Sequence, residues 1–330
     1  MPFLVQITLW AFIIFLSSQL SLFLPTNQHD AGAKTFIPAS YRYVSHLSSF
    51  DNTILTWGTD YAIALLMSYF AFRSLAATKS SQGQSHILSS APLRYRSAAL
   101  LLSYAISVTV GGYAHQTYFT AEDLNTSSFR FLWTICVGCV TAAGGFMGSC
   151  GSAIYRQLHR ETPSNKELRV RFHMPIIPDS FWVLYGGYHT YICIVGGMSF
   201  QRPACDIFVA GITQFIPTVY NALVLLSIKW NDPIAYTEAQ SQIGIDLASD
   251  AVLKKYRIMF YVGFFLNAPL LPGYPLLVQF TSLSLGVVNA LLHLNLTISW
   301  SLQACSLIHF CQALNNIDKQ RSGQMQKKET

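Results

Sequence analysis

Eight stretches of about twenty residues dominate the chain, at 3–24, 53–72, 97–119, 131–155, 178–199, 206–228, 257–277 and 281–312, and they carry almost no charge. Crossing the hydrocarbon core of a bilayer takes about 20 apolar residues. A helix is the single-segment structure that satisfies its own backbone amides there. The sequence therefore predicts an all-α fold, a polytopic integral membrane helical bundle with about eight transmembrane helices. Of the 330 residues, 52% are hydrophobic and only 11% charged, about half the charge a soluble domain carries. The first run, FLVQITLWAFIIFLSSQLSLFL, lacks the positive n-region and short core of a signal peptide. It is expected to stay as a span; its removal would leave seven.

Basic residues mark the sides of the membrane. Segments 73–96, 156–175 and 228–257 and the tail 313–330 hold 17 of the 21 Lys and Arg residues, and the alternate loops hold only Lys34, Arg42, Arg130 and Arg202. Every alternate loop agrees, so the basic loops and the C-terminal tail are expected in the cytosol. Residues 1–330 then form a single transmembrane domain with a basic cytosolic tail at 313–330. The endoplasmic reticulum is the expected location. The net charge of +6 is a topology signal and makes no case for nucleic acid. Asn125, in the sequon Asn-Thr-Ser, would face the lumen as a glycosylation acceptor.

Within the spans, small residues recur at the three- and four-residue spacing that lets helices approach closely, as in GGFMGSCG at 144–151. Cys136 and Cys139 fall in such a run and are expected to pack rather than to bind a metal or pair as a disulfide. NAPLLPGYP, from Asn267 to Pro275, must kink or break its helix, and freed carbonyls then need partners. Residues 234–253 are expected to form a surface helix. GGYAHQTY at 111–118 has a near-echo in GGYHTY at 186–191, but the histidines sit one position out of step, about 100° apart on a helix.

Ionisable groups inside spans are costly and point to function. Asp60 is the acid well inside a span, and His115, His189 and His293 are the interior histidines, while Asp51, Asp179 and Asp206 lie at the edges and His309 close to one end. From helix rise, Asp60 lies about 10 Å below the lumenal boundary, His115 about 6 Å, His189 about 15 Å and His293 about 18 Å. The four are close enough in depth to share one cavity. No Lys or Arg in a span interior balances Asp60, so burial favours its protonated form. A protonated carboxyl beside an imidazole is what a general acid requires. Aromatic side chains, 14% of the chain, belong by default to the interfacial belt, and those near the acid could stabilise a carbocation through their ring faces.

These features suit closure of a lipophilic prenyl chain, with Asp60 as the proton donor and the three histidines as orienting or terminal bases. No cofactor and no metal is required, because no diphosphate leaves. In general layout the chain resembles the fungal membrane-bound terpene cyclases of meroterpenoid pathways, polytopic proteins of similar size. That resemblance implies a terpene cyclase acting on a prenylated small molecule amid membrane lipids. The chain is also similar to the alkaline-ceramidase-like zinc hydrolases in span number and in a histidine on the second of its last seven spans. It departs from their pattern at Gly111, where that family has a serine, and at Thr297, where it has a second histidine. A transporter or receptor is the third expectation, since a broken span and a polar cavity suit substrate passage.

Overall fold

The structure is a computed structural model. It describes residues 50–76, 91–158, 174–198, 207–227, 247–267 and 281–329, with Thr8, Ala11, Phe12, residues 26–28 and 33–35, Phe172 and Leu277. Most of the first predicted span, the proline-rich stretch beyond Asn267 and most of the basic loops fall outside these residues. Among the described residues there are eight helices: α1 (Ile54–Ala76), α2 (Ala91–Thr117), α3 (Ala121–Leu124), α4 (Ser127–Leu158), α5 (Asp179–Met198), α6 (Ile207–Ser227), α7 (Leu247–Asn267) and α8 (Leu285–Glu329). Two three-residue strands, Thr26–Gln28 and Ala33–Thr35, pair antiparallel as a small ribbon. The chain is thus all-helical in its body. Among the described residues, three helices contain stretches long and apolar enough to cross a membrane, Pro92–Thr117, Ser127–Arg156 and Leu285–Gln312. The predicted surface helix at 234–253 overlaps α7, which already begins at Leu247.

Helix α4 packs against α2, α5 and α6, and α8 packs against α1, α2 and α7. The side-chain contacts give directions. Ser74 at the end of α1 donates to the Arg94 carbonyl at the start of α2 (3.2 Å). Arg96 on α2 and Arg156 on α4 each donate to the same oxygen of Asp179, the first residue of α5, at 2.6 Å. Asn221 on α6 donates to the Met147 carbonyl of α4, and α7 meets α8 antiparallel through Asn295 and the Leu266 carbonyl. The seven long helices therefore alternate in direction along the chain, the order required by basic residues on alternate loops.

Glycines permit the closest approaches. A Cβ on Gly145 would lie 2.7 Å from the Trp182 carbonyl and 3.0 Å from the Gly186 Cα, and one on Gly144 would lie 3.0 Å from the Thr213 carbonyl. The GGFMGSCG run is thus the seam at which α4 receives α5 and α6. Cys136 is buried against Gly111 and is hydrogen-bonded to Ser107, and the six described cysteines are all free thiols. Pro217 sits inside α6 and cannot donate to the Thr213 carbonyl one turn back. The Tyr185 hydroxyl of α5 supplies that bond at 2.7 Å. Tyr104, Trp133, Trp182, Tyr185 and Tyr220 are likewise core residues, whereas Tyr69, Tyr113 and Tyr191 are exposed.

Candidate functional site

The end of the bundle opposite the Arg96–Asp179–Arg156 node gathers most of the polar residues singled out in the sequence. Asp60 lies six residues into α1, about 9 Å along its axis, and is 4% exposed. It faces α2, where a Cβ on Gly112 would lie 3.0 Å from its own Cβ and Gly111 would meet its Oδ2 at 3.8 Å. The glycine pair ahead of His115 is therefore what lets α2 close over the acid.

His293 reaches Asp60 from α8, with Nε2 3.4 Å from Oδ1. The other ring nitrogen, Nδ1, is 2.7 Å from the Thr59 hydroxyl. That hydroxyl is close to the Leu55 carbonyl (2.6 Å) and the Thr56 carbonyl (2.9 Å), and its proton goes to one of them. Thr59 must then accept from Nδ1–H, which leaves Nε2 as the lone-pair side facing Asp60. Two buried neutral groups avoid the desolvation of two charges.

His115 sits beside this pair without bonding to it. Its Nδ1 donates to the Asp51 carbonyl at 2.7 Å, and its ring stacks on Phe50 at 4.3 Å and edge-on to Trp133 at 5.9 Å. Phe129 and Trp133 continue the aromatic cluster, with Tyr118 against Phe129. His115 and His293 lie within electrostatic reach of one another.

Asp51 ties the three helices together just ahead of α1. Its carboxylate accepts from the Thr53 N–H (3.0 Å), the Thr53 hydroxyl (3.3 Å), the Thr56 hydroxyl and the Asn289 amide of α8 (3.1 Å). Burial pushes the Asp51 carboxyl up, but the bonds from Thr56, the Thr53 N–H, Asn289 and the Thr53 hydroxyl outweigh it. The carboxyl is held below its ordinary value. Asn289 is one turn before His293, so this bond also fixes the rotation of α8 that presents His293 to Asp60.

His189 belongs to a different neighbourhood. It is buried on α5, its Nδ1 bonded to the Tyr185 carbonyl at 2.8 Å and its ring against Tyr185 and Tyr188. The two glycine–tyrosine echoes are not equivalent. Gly112 is pressed against α1, whereas its counterpart Gly187 faces open space. Among the described residues, no three His, Cys, Asp or Glu side chains are grouped to hold a metal ion. Thr59, Asn289 and the Asp51 carbonyl were missed as site residues by the sequence reading. The four-residue spacing of Asn289 and His293 was the available clue.

Compared with known protein families, characterised proteins and solved structures, the chain matches none.

Proposed function

We propose that the chain is a multi-pass membrane enzyme of the endoplasmic reticulum, with about eight spans, that cyclises the prenyl chain of a lipophilic, meroterpenoid-like substrate by proton transfer from Asp60. The observation that carries this reading is the Asp60–His293 pair, buried between apolar helices with the basic nitrogen of the imidazole turned to the acid.

The membrane assignment rests on an inverted surface. Leu65, Phe72, Val183 and Phe265 are well exposed on their helices, while Ser107, Thr141, Gln214 and Asn221 are buried. A soluble bundle would reverse that pattern. Lipid accounts for both halves, since outward apolar faces are solvated by acyl chains and inward polar groups join helices.

In the proposed reaction, Asp60 gives its proton to the terminal olefin or epoxide of the prenyl chain, and a carbocation forms. The ring closes by attack of an internal double bond. The final cation then loses a proton to a base, or is captured by a substrate hydroxyl that loses its own. The product is an isomer of the substrate. At rest the single Asp60 proton is shared with His293 Nε2. In the reaction that bond breaks as the proton passes to the substrate, and the proton released at the end returns to the Asp60 carboxylate. His115, whose Nδ1–H is committed to the Asp51 carbonyl, offers Nε2 as the terminal base. Phe50, Phe129 and Trp133 lie nearby, and it is their ring faces that suit a developing cation. General acid catalysis contributes roughly 10²–10⁴-fold, and a dry cavity keeps the cation from water.

The test is mass spectrometry of products from microsomes containing the chain, fed prenylated phenols, their epoxides and ceramide-like amides. A product of unchanged mass that disappears in Asp60→Asn supports the reading. A substrate split with addition of water would replace it with a hydrolase.

A further inference from the structure

The inward face of α8 continues past His293 to a second pair of polar side chains. Trp300 and Gln303 are both buried, at 5% and 3% exposure, and three residues apart they are neighbours on the helix surface. The Trp300 ring is stacked on Tyr104 at 4.0 Å with 9° between the planes. Its Nε1–H has no acceptor among the described residues.

Gln303 has its amide orientation set by its neighbours. Ser299 donates its only hydroxyl proton to the Gly263 carbonyl at 2.6 Å. It can therefore only accept from Gln303, whose Nε2 lies 3.3 Å away. Oε1 is the end left over, and it has no donor among the described residues. One helix face thus carries an unpaired donor and an unpaired acceptor, both out of reach of water. A hydroxyl group, which accepts one hydrogen bond and donates another, has both of the capacities these atoms lack. A carboxylate would not pair with Oε1, and an ammonium would not pair with Nε1–H.

Distance and access fit an elongated guest. Trp300 is seven residues from His293, about 10 Å along the axis, within reach of an extended prenyl chain. The apolar stretch of α8 is only 28% buried, against 61% and 67% for those of α2 and α4. Leu291, Leu294 and Ile298 are exposed on its outer side, where a lipid-dissolved molecule would first meet the helix.

We propose that Trp300 and Gln303 bind the hydroxyl of a lipophilic alcohol or phenol whose apolar chain runs along α8 towards Asp60 and His293. The direction of the chain rests on the cyclase reading; the hydroxyl site does not.

The test is competition binding to the full chain purified in detergent micelles. Tritiated farnesol is the bound probe, and the competitors are unlabelled farnesol and farnesyl methyl ether, which can accept a hydrogen bond but cannot donate one. The wild-type chain is expected to prefer the alcohol by about fivefold or more, the value of one buried hydrogen bond. Gln303→Met, close in volume but without the acceptor, is expected to remove that preference. The preference should persist in Asp60→Asn, because the acid is not part of the hydroxyl site. Equal binding of alcohol and ether by the wild-type chain, which needs no variant to fold, overturns the proposal. So does a preference that survives in Gln303→Met. Absence of any cyclised product alongside an intact preference would sink the cyclase reading alone.

Discussion

His293 places Nε2 3.4 Å from Asp60 Oδ1, and Thr59, the residue next to that acid, is what turns the imidazole to do so. The hydroxyl of Thr59 bonds a backbone carbonyl on its own helix and accepts from Nδ1 of His293. A helix-internal threonine thereby sets the tautomer of a residue on another helix. The Asp60 carboxyl thereby faces a lone pair rather than a second N–H.

Thr59→Val keeps the shape and removes the hydroxyl, leaving the Thr56 carbonyl as the remaining backbone partner of the imidazole, so the hold on one tautomer is weakened. Turnover is expected to fall about tenfold or more, with Thr59→Ser restoring most of it, in line with the cost of losing a residue that orients a catalytic imidazole. The pH profile of kcat should shift in Thr59→Val and remain in place in Thr59→Ser. A Thr59→Val variant with an unaltered rate and profile would remove Thr59 from the site.

Asp51 predicts a particular pH response. Its folded carboxyl is held below the ordinary value of 3.8, so its stabilising contribution is complete above that value and is lost as the pH falls through the lower folded value. Asp51→Asn is expected to melt below the wild-type chain at neutral pH, by an amount corresponding to about 2 kcal/mol for hydrogen bonds to a charged group. The gap should stay constant down to about pH 4 and close below it. Thermal unfolding in micelles across that range reads it, and a gap that widens in acid would contradict the assignment.

The α4–α5 seam offers a paired test. A side chain on Gly145 would press on the Trp182 carbonyl and the Gly186 Cα, whereas one on Gly187 would meet nothing within 4 Å. Backbone cannot move aside as a side chain can, so Gly145→Val is expected to cost about 1–3 kcal/mol or more. Gly187→Val should leave the melting temperature unchanged or slightly raised, since the new side chain meets nothing and valine has the higher helix propensity. Similar losses at both positions would mean that the seam is not packed as described.

Orientation can be read at Asn125, which closes the short helix α3 and donates to the Ala121 carbonyl at 2.7 Å. With the histidine-bearing end in the lumen, the chain expressed in microsomes should carry one glycan removable by endoglycosidase and absent from Asn125→Gln. If a lysine-rich loop is instead protected from added protease, the orientation is reversed.

Much of the scaffold was legible because long apolar runs between basic segments follow a simple code. Apolar length marked the helices that became α1, α2, α4, α5 and α6 to within a few residues, and basic loops gave their alternating directions. Close approach was also written locally, in GGFMGSCG. The site was half legible. Asp60 and His293 stood out as ionisable groups in apolar runs, but depth alone grouped His189 with them. A residue's height in a bundle says nothing about which neighbouring helix it faces. The pairing of α8 with α1 and α2 joins segments at opposite ends of the described chain, and no local pattern encodes it. Thr59 and Asn289 were hidden for the same reason, since their partners are set by that pairing.

The most direct measurement is the reaction in D2O. Microsomes containing the wild-type chain, incubated in D2O with the prenylated phenol that gives product, should yield a cyclised isomer carrying one deuterium at the carbon of the former terminal olefin. Asp60→Asn should give no such product. A cyclised product without deuterium, or one formed equally well by Asp60→Asn, would contradict Asp60 as the proton donor.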